Sequence, residues 1–252
     1  MRLARDTVEQ LLLPAECLLC HALLPFRESR RLVCAVCRHR WRPVRPPWCA
    51  RCGQPEPHFG PCRLCAGWPA VFRAARSAVW LDAGARDAVH ALKYGGLPRI
   101  AADLADAMQR LDLPDRDAAW LVPIPLGPGR LRERGYNQSE RLARALGSRW
   151  GRPVVPLLVR TRDTATQTAL TPEARLANVA GAFQVRIGDC GLRIEATNVE
   201  SAIRNPQSAI ILVDDVFTTG ATLAEAARAL ERAGATAVRA VTFGRAVVPD
   251  FT

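Results

Sequence analysis

The sequence has no long hydrophobic run. Its longest apolar stretch near the start, Leu11–Leu13, is ended by Pro14, and no stretch approaches the ~20 residues that a membrane-spanning helix requires. Asp6 and Glu9 precede that short stretch, which is not the layout of a signal peptide. We therefore expect a cytoplasmic protein with no membrane span. An apolar share of 49% and a charged share of 23% exclude a wholly disordered chain.

Lysine is almost missing as well. Of the 35 basic residues only Lys93 is a lysine, and the formal net charge is +11. Residues 1–70 hold 11 arginines against 5 acidic residues, and residues 121–180 hold 10 against 4. A positive surface favours polyanions such as nucleic acid. Because the excess falls into two blocks, each block needs a local explanation.

The first block coincides with eight of the nine cysteines. They form four Cys-x-x-Cys pairs: Cys17/Cys20, Cys34/Cys37, Cys49/Cys52 and Cys62/Cys65. Two intervening residues turn both thiolates toward one cation, and two such pairs complete a closed tetrahedral Zn²⁺ site. A disulfide scaffold would need a secreted chain, and a redox motif would need a single pair. The spacing therefore predicts two structural zinc ions.

The spacing does not show which two cysteine pairs combine into each zinc site. Sequential combination would give two zinc ribbons in tandem, which we favour, and interleaved combination would give a RING-like module. His21, His39 and His58 lie near the cysteines and could replace a thiolate, but with eight thiols present we expect surface histidines. Two four-thiolate zinc sites carry a net charge of about −4. Residues 121–180 then remain as the strongly basic block.

Strands and helices alternate after Trp68-Pro69. Apolar runs predict strands at 121–124, 209–213 and 237–243, and helical spacing predicts helices at 100–111 and 223–233. Val154–Val159 is also apolar, but Pro156 indicates a sheet edge or a break. This alternation is typical of a parallel sheet covered on both faces. We predict a zinc module at 1–69 and an α/β domain at 70–252.

The most specific motif follows the 209–213 strand. Four apolar residues lead to Asp214 and Asp215, and the chain continues as Val-Phe-Thr-Thr-Gly-Ala-Thr to Thr222. Ligands of α/β sheets bind at this end of the strands. Hydroxyls and a helix N-terminus suit a phosphomonoester, while adjacent carboxylates can accept hydrogen bonds from a ribose diol. The motif indicates a sugar-phosphate site.

This segment resembles the signature of type I phosphoribosyltransferases, which bind phosphoribosyl pyrophosphate (PRPP). The resemblance implies a type I phosphoribosyltransferase-like parallel sheet and Mg²⁺ bound together with PRPP. Asp214 and Asp215 would hold the ribose hydroxyls as the catalytic pair. The 5′-phosphate would lie among the residues that follow: Thr218, Thr219, Gly220, Ala221 and Thr222.

Further segments narrow the resemblance from type I phosphoribosyltransferases in general to one family. Val122-Pro-Ile-Pro125 runs into an arginine-rich stretch ending at Gln138, Leu92-Lys-Tyr94 lies upstream, and the four cysteine pairs precede both. With these features almost the whole chain resembles the ComF family (ComFC and GntX-like proteins), whose members are linked to DNA uptake in natural transformation. That implies single-stranded DNA and a competence helicase as partners.

The resemblance also suggests pyrophosphate contacts. The loop 123–130 would present its backbone to the pyrophosphate, and segment 160–175 would close over PRPP. Guanidinium groups match phosphate geometry. The predicted anion contacts are Lys93, Pro125, Leu126, Arg130, Arg132 and Arg134.

Two functions fit these features. One is a Mg²⁺-dependent phosphoribosyltransferase, a pentosyl glycosyltransferase with an unidentified acceptor. The other is a non-catalytic protein on the same fold that senses a nucleotide or binds single-stranded DNA. Only Tyr136 and Trp150 could supply stacking aromatics near the basic block, which favours the small ligand.

Overall fold

A four-stranded parallel sheet forms the centre of the protein. A computed structural model describes residues 14–55, 62–163, 178–186 and 209–247. The strands lie in the order β1-β6-β5-β2, and all neighbours are parallel. Their bounds are Phe72–Trp80 (β1), Trp120–Pro123 (β2), Ile210–Phe217 (β5) and Val238–Arg245 (β6). The predicted parallel α/β sheet is confirmed.

The strand β5 is longer than its apolar run. We predicted an end at Val213, but Asp214 and Val216 continue the ladder by pairing with Thr242 and Gly244 of β6. The backbone pairing with β6 therefore places both carboxylates within the strand, toward its carboxyl end.

Two short strands form a separate antiparallel pair, β3 at Leu158–Arg160 and β4 at Phe183–Val185. The predicted break at Pro156 is confirmed, since Val154 makes only an isolated bridge to Leu121 of β2. The apolar run 154–159 is thus divided between the edge of the main sheet and β3.

Six α-helices have both ends within the described residues. Their bounds are Ala35–Arg40 (α1), Ala83–Tyr94 (α2), Ala101–Met108 (α3), Pro128–Arg134 (α4), Gln138–Trp150 (α5) and Ala221–Arg232 (α6). The Asn137 side chain accepts the Ser139 N–H and caps α5. None of these helices has the length and apolar character needed to span a bilayer.

The cysteine-rich segment contacts both faces of the sheet. Residues around Cys17, Cys34 and Cys37 pack with α2, α3 and α5 against one face. Residues around Cys52 and Cys65 pack with α6 and the β3–β4 pair against the other face. The boundary at 69/70 stays a prediction, because both cores contain residues from either side of it.

Buried polar contacts hold the first cysteine group to α3. The Asp103 carboxylate is 1% exposed and accepts the backbone N–H groups of Leu32 and Val33 at 3.0 and 3.3 Å. Arg31 and Arg38 also donate to it. This network fully partners a buried carboxylate, which would otherwise be costly.

Short segments follow both outer strands of the sheet. On β1, the Val44 N–H donates to Ala78 O at 3.1 Å, and the Trp80 N–H donates to Arg42 O at 2.8 Å. On β2, Leu121 exchanges hydrogen bonds with Pro153 and Val155 at 2.9 Å each. Segments 42–44 and 153–155 therefore partly occupy the hydrogen-bonding groups of the two edge strands.

Candidate sugar-phosphate site and zinc centres

The eight cysteines form two separate clusters. Cys17, Cys20, Cys34 and Cys37 form one, and Cys49, Cys52, Cys62 and Cys65 form the other; within each, the sulfurs lie within 4.8 Å of one another. The sequential combination is confirmed, and the interleaved, RING-like one is wrong. Segment 42–44 separates the clusters along the chain while packing on β1, so each cluster closes locally.

The sulfur spacing fits Zn²⁺. A tetrahedral site with Zn–S bonds of about 2.3 Å places sulfurs about 3.8 Å apart. The Cys20–Cys34 and Cys49–Cys65 pairs are 3.8 Å apart, and Cys52–Cys62 are 3.5 Å apart. Burial and neighbouring thiolates raise the pKa of Cys65 to about 12, so four thiolates require a cation to balance them. His21 and His39 are exposed, and His58 and Cys190 lie outside the described residues.

The acidic pair lies at the carboxyl end of β5. Lys93 of α2 approaches it, with 2.9 Å between Lys93 Nζ and Asp215 Oδ1. Ser139 of α5 donates its hydroxyl to Asp214 Oδ1 at 2.8 Å, and the Asp215 N–H donates to the same oxygen at 2.9 Å. Three elements therefore converge on two adjacent carboxylates.

Burial and the neighbouring charges shift the pKa values of Asp214 and Lys93. Burial and the Asp215 carboxylate raise the pKa of Asp214 to about 7, although Ser139 and Lys93 oppose the shift. Burial also opposes the charge of Lys93, but the two carboxylates outweigh it and raise the Lys93 pKa. Without a ligand, Asp214 is thus partly protonated at neutral pH.

The predicted phosphate residues surround the start of α6. Gly220 adopts a left-handed conformation with φ 75°, and the chain turns there from β5 into the helix. Thr218, Gly220, Ala221 and Thr222 line a cavity, whereas Thr219 is buried and its hydroxyl accepts the Ala221 N–H at 3.4 Å. Thr219 therefore shapes the loop from within.

The predicted pyrophosphate loop already contacts a carboxylate. Pro125 and Leu126 line the cavity. Asp163 accepts the Gly129 N–H with distances of 3.2 and 3.1 Å to its two oxygens. A Cβ on Gly127 would lie 2.1 Å from Asp163 Oδ1, so only glycine permits this approach. Residues 164–175 of the predicted closing segment lie outside the described residues.

The three predicted arginines of α4 occupy different positions. Arg130 and Arg134 line the cavity, while Arg132 is exposed and is not among the lining residues. Arg160 of β3 also lines the cavity. Burial and the positive charge of Arg130 lower the Arg160 pKa, which indicates cations held close together. An anionic ligand would relieve their repulsion.

Most of these groups line one cavity of about 590 Å³. The cavity joins the acidic pair, Lys93, the start of α6, Arg130 and Arg134 of α4, and Arg160 of β3. A volume of this size accommodates a small phosphorylated molecule. The structure thus brings together most of the site residues expected from the sequence.

Several lining residues were not predicted as site residues, among them His90 and the 64%-exposed Tyr94. Arg160 begins the segment expected to close over PRPP, but it was not predicted as an individual anion contact. Ser139 was also missed, although its place just after the helix cap Asn137 could have suggested a polar role. Tyr136, considered for stacking, instead packs against the core and donates its hydroxyl to Leu92 O.

Comparison with family models agrees with the geometry. Residues 136–246 match the model of the phosphoribosyl transferase domain, and residues 8–66 match the double zinc ribbon domain. The parallel sheet and the two four-cysteine sites therefore define a phosphoribosyltransferase-like domain combined with a double zinc ribbon.

Individual relatives identify the family within this class. The chain is 32% identical to DNA utilization protein YhgH of Salmonella typhimurium, covering 91% of this chain and 96% of the relative. It is 28% identical to competence protein ComFC of Bacillus subtilis, covering 84% of both chains. Competence protein F of Haemophilus influenzae is 32% identical over 58% of this chain and 57% of its own length. The chain belongs to the ComF family.

Proposed function

We propose that this protein binds PRPP or a closely related sugar phosphate with Mg²⁺ and transfers the phosphoribosyl group to an acceptor. The observation that carries the proposal is a single cavity in which Asp214 and Asp215 face hydroxyl-bearing Thr218 and Thr222, with arginines along its wall. Such a cavity suits a ligand that has hydroxyl donors in the middle and phosphates at its ends.

Each part of the cavity has a role in this proposal. Asp214 and Asp215 accept hydrogen bonds from the ribose hydroxyls, and the residues from Thr218 to Thr222 hold the 5′-phosphate at the start of α6. The α6 N-terminus adds partial positive charge there. Carboxylate oxygens also suit Mg²⁺, which would keep most of its waters and neutralise the pyrophosphate.

The residues can assist the chemical step through charge and position. As the C1–O bond to pyrophosphate breaks, positive charge develops on the ribose and negative charge on the leaving oxygens. Arg130, Arg134 and Arg160 lie where they would stabilise the leaving group. Lys93 balances the acidic pair, so that the pocket can keep both carboxylates near the sugar.

Calorimetry tests binding directly. Zinc-loaded protein should bind PRPP in the presence of Mg²⁺, and combined Asp214→Asn and Asp215→Asn substitutions should abolish the heat of binding. Asp117→Asn is the matched control, because Asp117 is exposed on the surface. The absence of PRPP binding by the folded wild type would refute the proposal. Turnover with a panel of bases would then identify the acceptor.

The names of the relatives favour a second candidate, single-stranded DNA binding at the same basic wall. The relatives are described as DNA utilization and competence proteins. Phosphate contacts made by arginine predict binding that is indifferent to sequence and weakens with salt. Fluorescence anisotropy with a labelled oligonucleotide should show weaker binding when Arg130, Arg132 and Arg134 are all changed to Ala. Unchanged binding would show that these arginines do not contribute to DNA recognition.

A further inference from the structure

Trp68, which follows the second cysteine cluster in the chain, packs against the candidate phosphate loop. Trp68 follows Cys65 by three residues and stacks on Phe72, with 4.2 Å between ring centroids. Its edge faces Phe217 at 6.1 Å. A Cβ on Gly220 would lie only 2.7 Å from Trp68 Cζ2. The indole therefore supports the loop from below, where a side chain on Gly220 would otherwise point.

Arg51 connects this tryptophan to the cysteine cluster. It lies between the two cysteines of the third pair, and its guanidinium donates to four backbone carbonyls: Phe72 at 3.1 Å, Cys65 at 3.2 Å, Trp68 at 3.2 Å and Pro69 at 2.7 Å. A guanidinium with several fixed acceptors holds its partners in one geometry. The backbone that carries Trp68 is thus fastened to the cysteine pair.

Arg245 makes a second connection from the end of β6. The residue is 2% exposed and donates to Cys52 O and Gln54 Oε1, each at 2.9 Å. Its guanidinium carbon lies 4.5 Å from the centroid of the Phe217 ring. The Ala246 N–H donates to Phe217 O at 2.9 Å. One buried cation therefore contacts both the cysteine cluster and the residue that begins the loop.

Charge balance supports this connection. A buried guanidinium is costly unless an anion compensates it. Four thiolates around Zn²⁺ carry a net charge of about −2. Arg245 donates to the backbone carbonyl of Cys52, one of these four cysteines, so a zinc-loaded cluster would supply its counter-charge.

We propose that the second zinc site positions the sugar-phosphate loop 217–222, with Trp68 and Arg245 as the positioning residues. The inference rests on the proposed function for its ligand, but the structural coupling itself does not. The first zinc site provides an internal control, because within the described residues it packs on the opposite face of the sheet. Loss of metal from the second site alone should loosen the loop.

Hydrogen exchange tests the coupling in the full zinc-loaded chain. We expect Trp68→Ala and Arg245→Met to keep two zinc ions, to speed amide exchange in the peptide 210–223 about tenfold and to weaken PRPP binding to a similar extent. Trp150→Ala and Arg239→Met are matched controls: Trp150 lies on α5, and Arg239 is a buried arginine of β6 that pairs with Asp115 at 2.7 Å. Both controls should exchange in 210–223 like the wild type.

Milder variants keep the test readable if these substitutions prevent folding. Trp68→Phe retains an aromatic ring for Phe72 but removes the atoms beneath Gly220, and should show a smaller effect in the same direction. Cys62→Ser should loosen 210–223, whereas Cys20→Ser in the other cluster should not. Unchanged exchange in Trp68→Phe and Cys62→Ser would overturn the inference. Faster exchange without any PRPP binding by the wild type would uphold the coupling and refute the proposed ligand.

Discussion

Lys93 Nζ lies 2.9 Å from Asp215 Oδ1, so the only lysine of the chain neutralises its acidic pair. The side chains are 24% and 4% exposed, which leaves little water to replace the cation. The resemblance to the ComF family suggests Lys93 as a direct phosphate contact. That role stays a prediction, and the ion pair gives the residue a structural function as well.

Replacing Lys93 should destabilise the protein. Lys93→Met leaves two adjacent carboxylates without their partner, which should lower the free energy of unfolding by about 2 kcal/mol. The double variant Lys93→Met/Asp215→Asn should lose less than the sum of the single variants, because the second change removes the unpaired charge. Urea denaturation measures both effects. The exposed Arg132→Met is the control for losing one positive charge, and an equal loss in that control would contradict the prediction.

Asp214 should make stability fall as pH rises. Its pKa of about 7 lies above the ordinary value of 3.8, so between these values the folded state binds more protons than the unfolded state. Stability from the protonated form is present below about pH 4 and is lost as the pH rises through 7. Asp214→Asn should therefore raise the melting temperature by about 2 °C or more at pH 8, with little gain at pH 4. A gain independent of pH would contradict this assignment, and Asp117→Asn serves as the exposed control.

The arginines that line the cavity should contribute more to PRPP binding than their exposed neighbour Arg132. Arg130→Met and Arg134→Met should each weaken PRPP binding about tenfold or more, since each removes a charged hydrogen-bond donor. Arg132→Met should leave the affinity within about twofold. Calorimetry with Mg²⁺ measures all three. A loss at Arg132 equal to that at Arg130 would support the contact expected from the sequence and would require α4 to rotate on binding.

Asp163 should compete with the incoming pyrophosphate. Its carboxylate accepts the Gly129 N–H in the loop proposed to hold that group. Asp163→Asn keeps an acceptor but removes the negative charge, so PRPP affinity should rise by roughly threefold. Glu133→Gln, an exposed residue of α4, is the matched control. Weaker binding by Asp163→Asn would instead indicate that the carboxylate contacts the ligand or its metal.

The sequence predicted features with a local signature. The Cys-x-x-Cys pairs, the apolar run before Asp214 and the helix after Gly220 each follow from neighbouring residues, and their geometry was anticipated. The Ser139–Asp214 and Arg245–Cys52 contacts join residues 75 and 193 positions apart. No local pattern distinguishes Arg245 from a surface arginine. Its burial follows from how β6 meets the second cysteine cluster.

Position within a helix also limited the prediction. Arg130, Arg132 and Arg134 look equivalent in sequence, but residues two apart on a helix face different directions. Arg130 and Arg134 are four apart and share the cavity side, which leaves Arg132 in solvent. Thr218 and Thr219 also look equivalent in sequence, but Thr218 lines the cavity, whereas Thr219 is buried and accepts the Ala221 N–H.

The segments beside the outer strands have a consequence for aggregation. An uncovered strand edge is a template for pairing with another molecule. Segment 42–44, which lies against β1 and includes Pro43, is held between the two cysteine clusters. Removing zinc would release this cover and expose β1 to a second copy of the chain. We expect chelated protein to scatter light before its circular dichroism changes, which would show that the zinc sites also protect the protein from self-association.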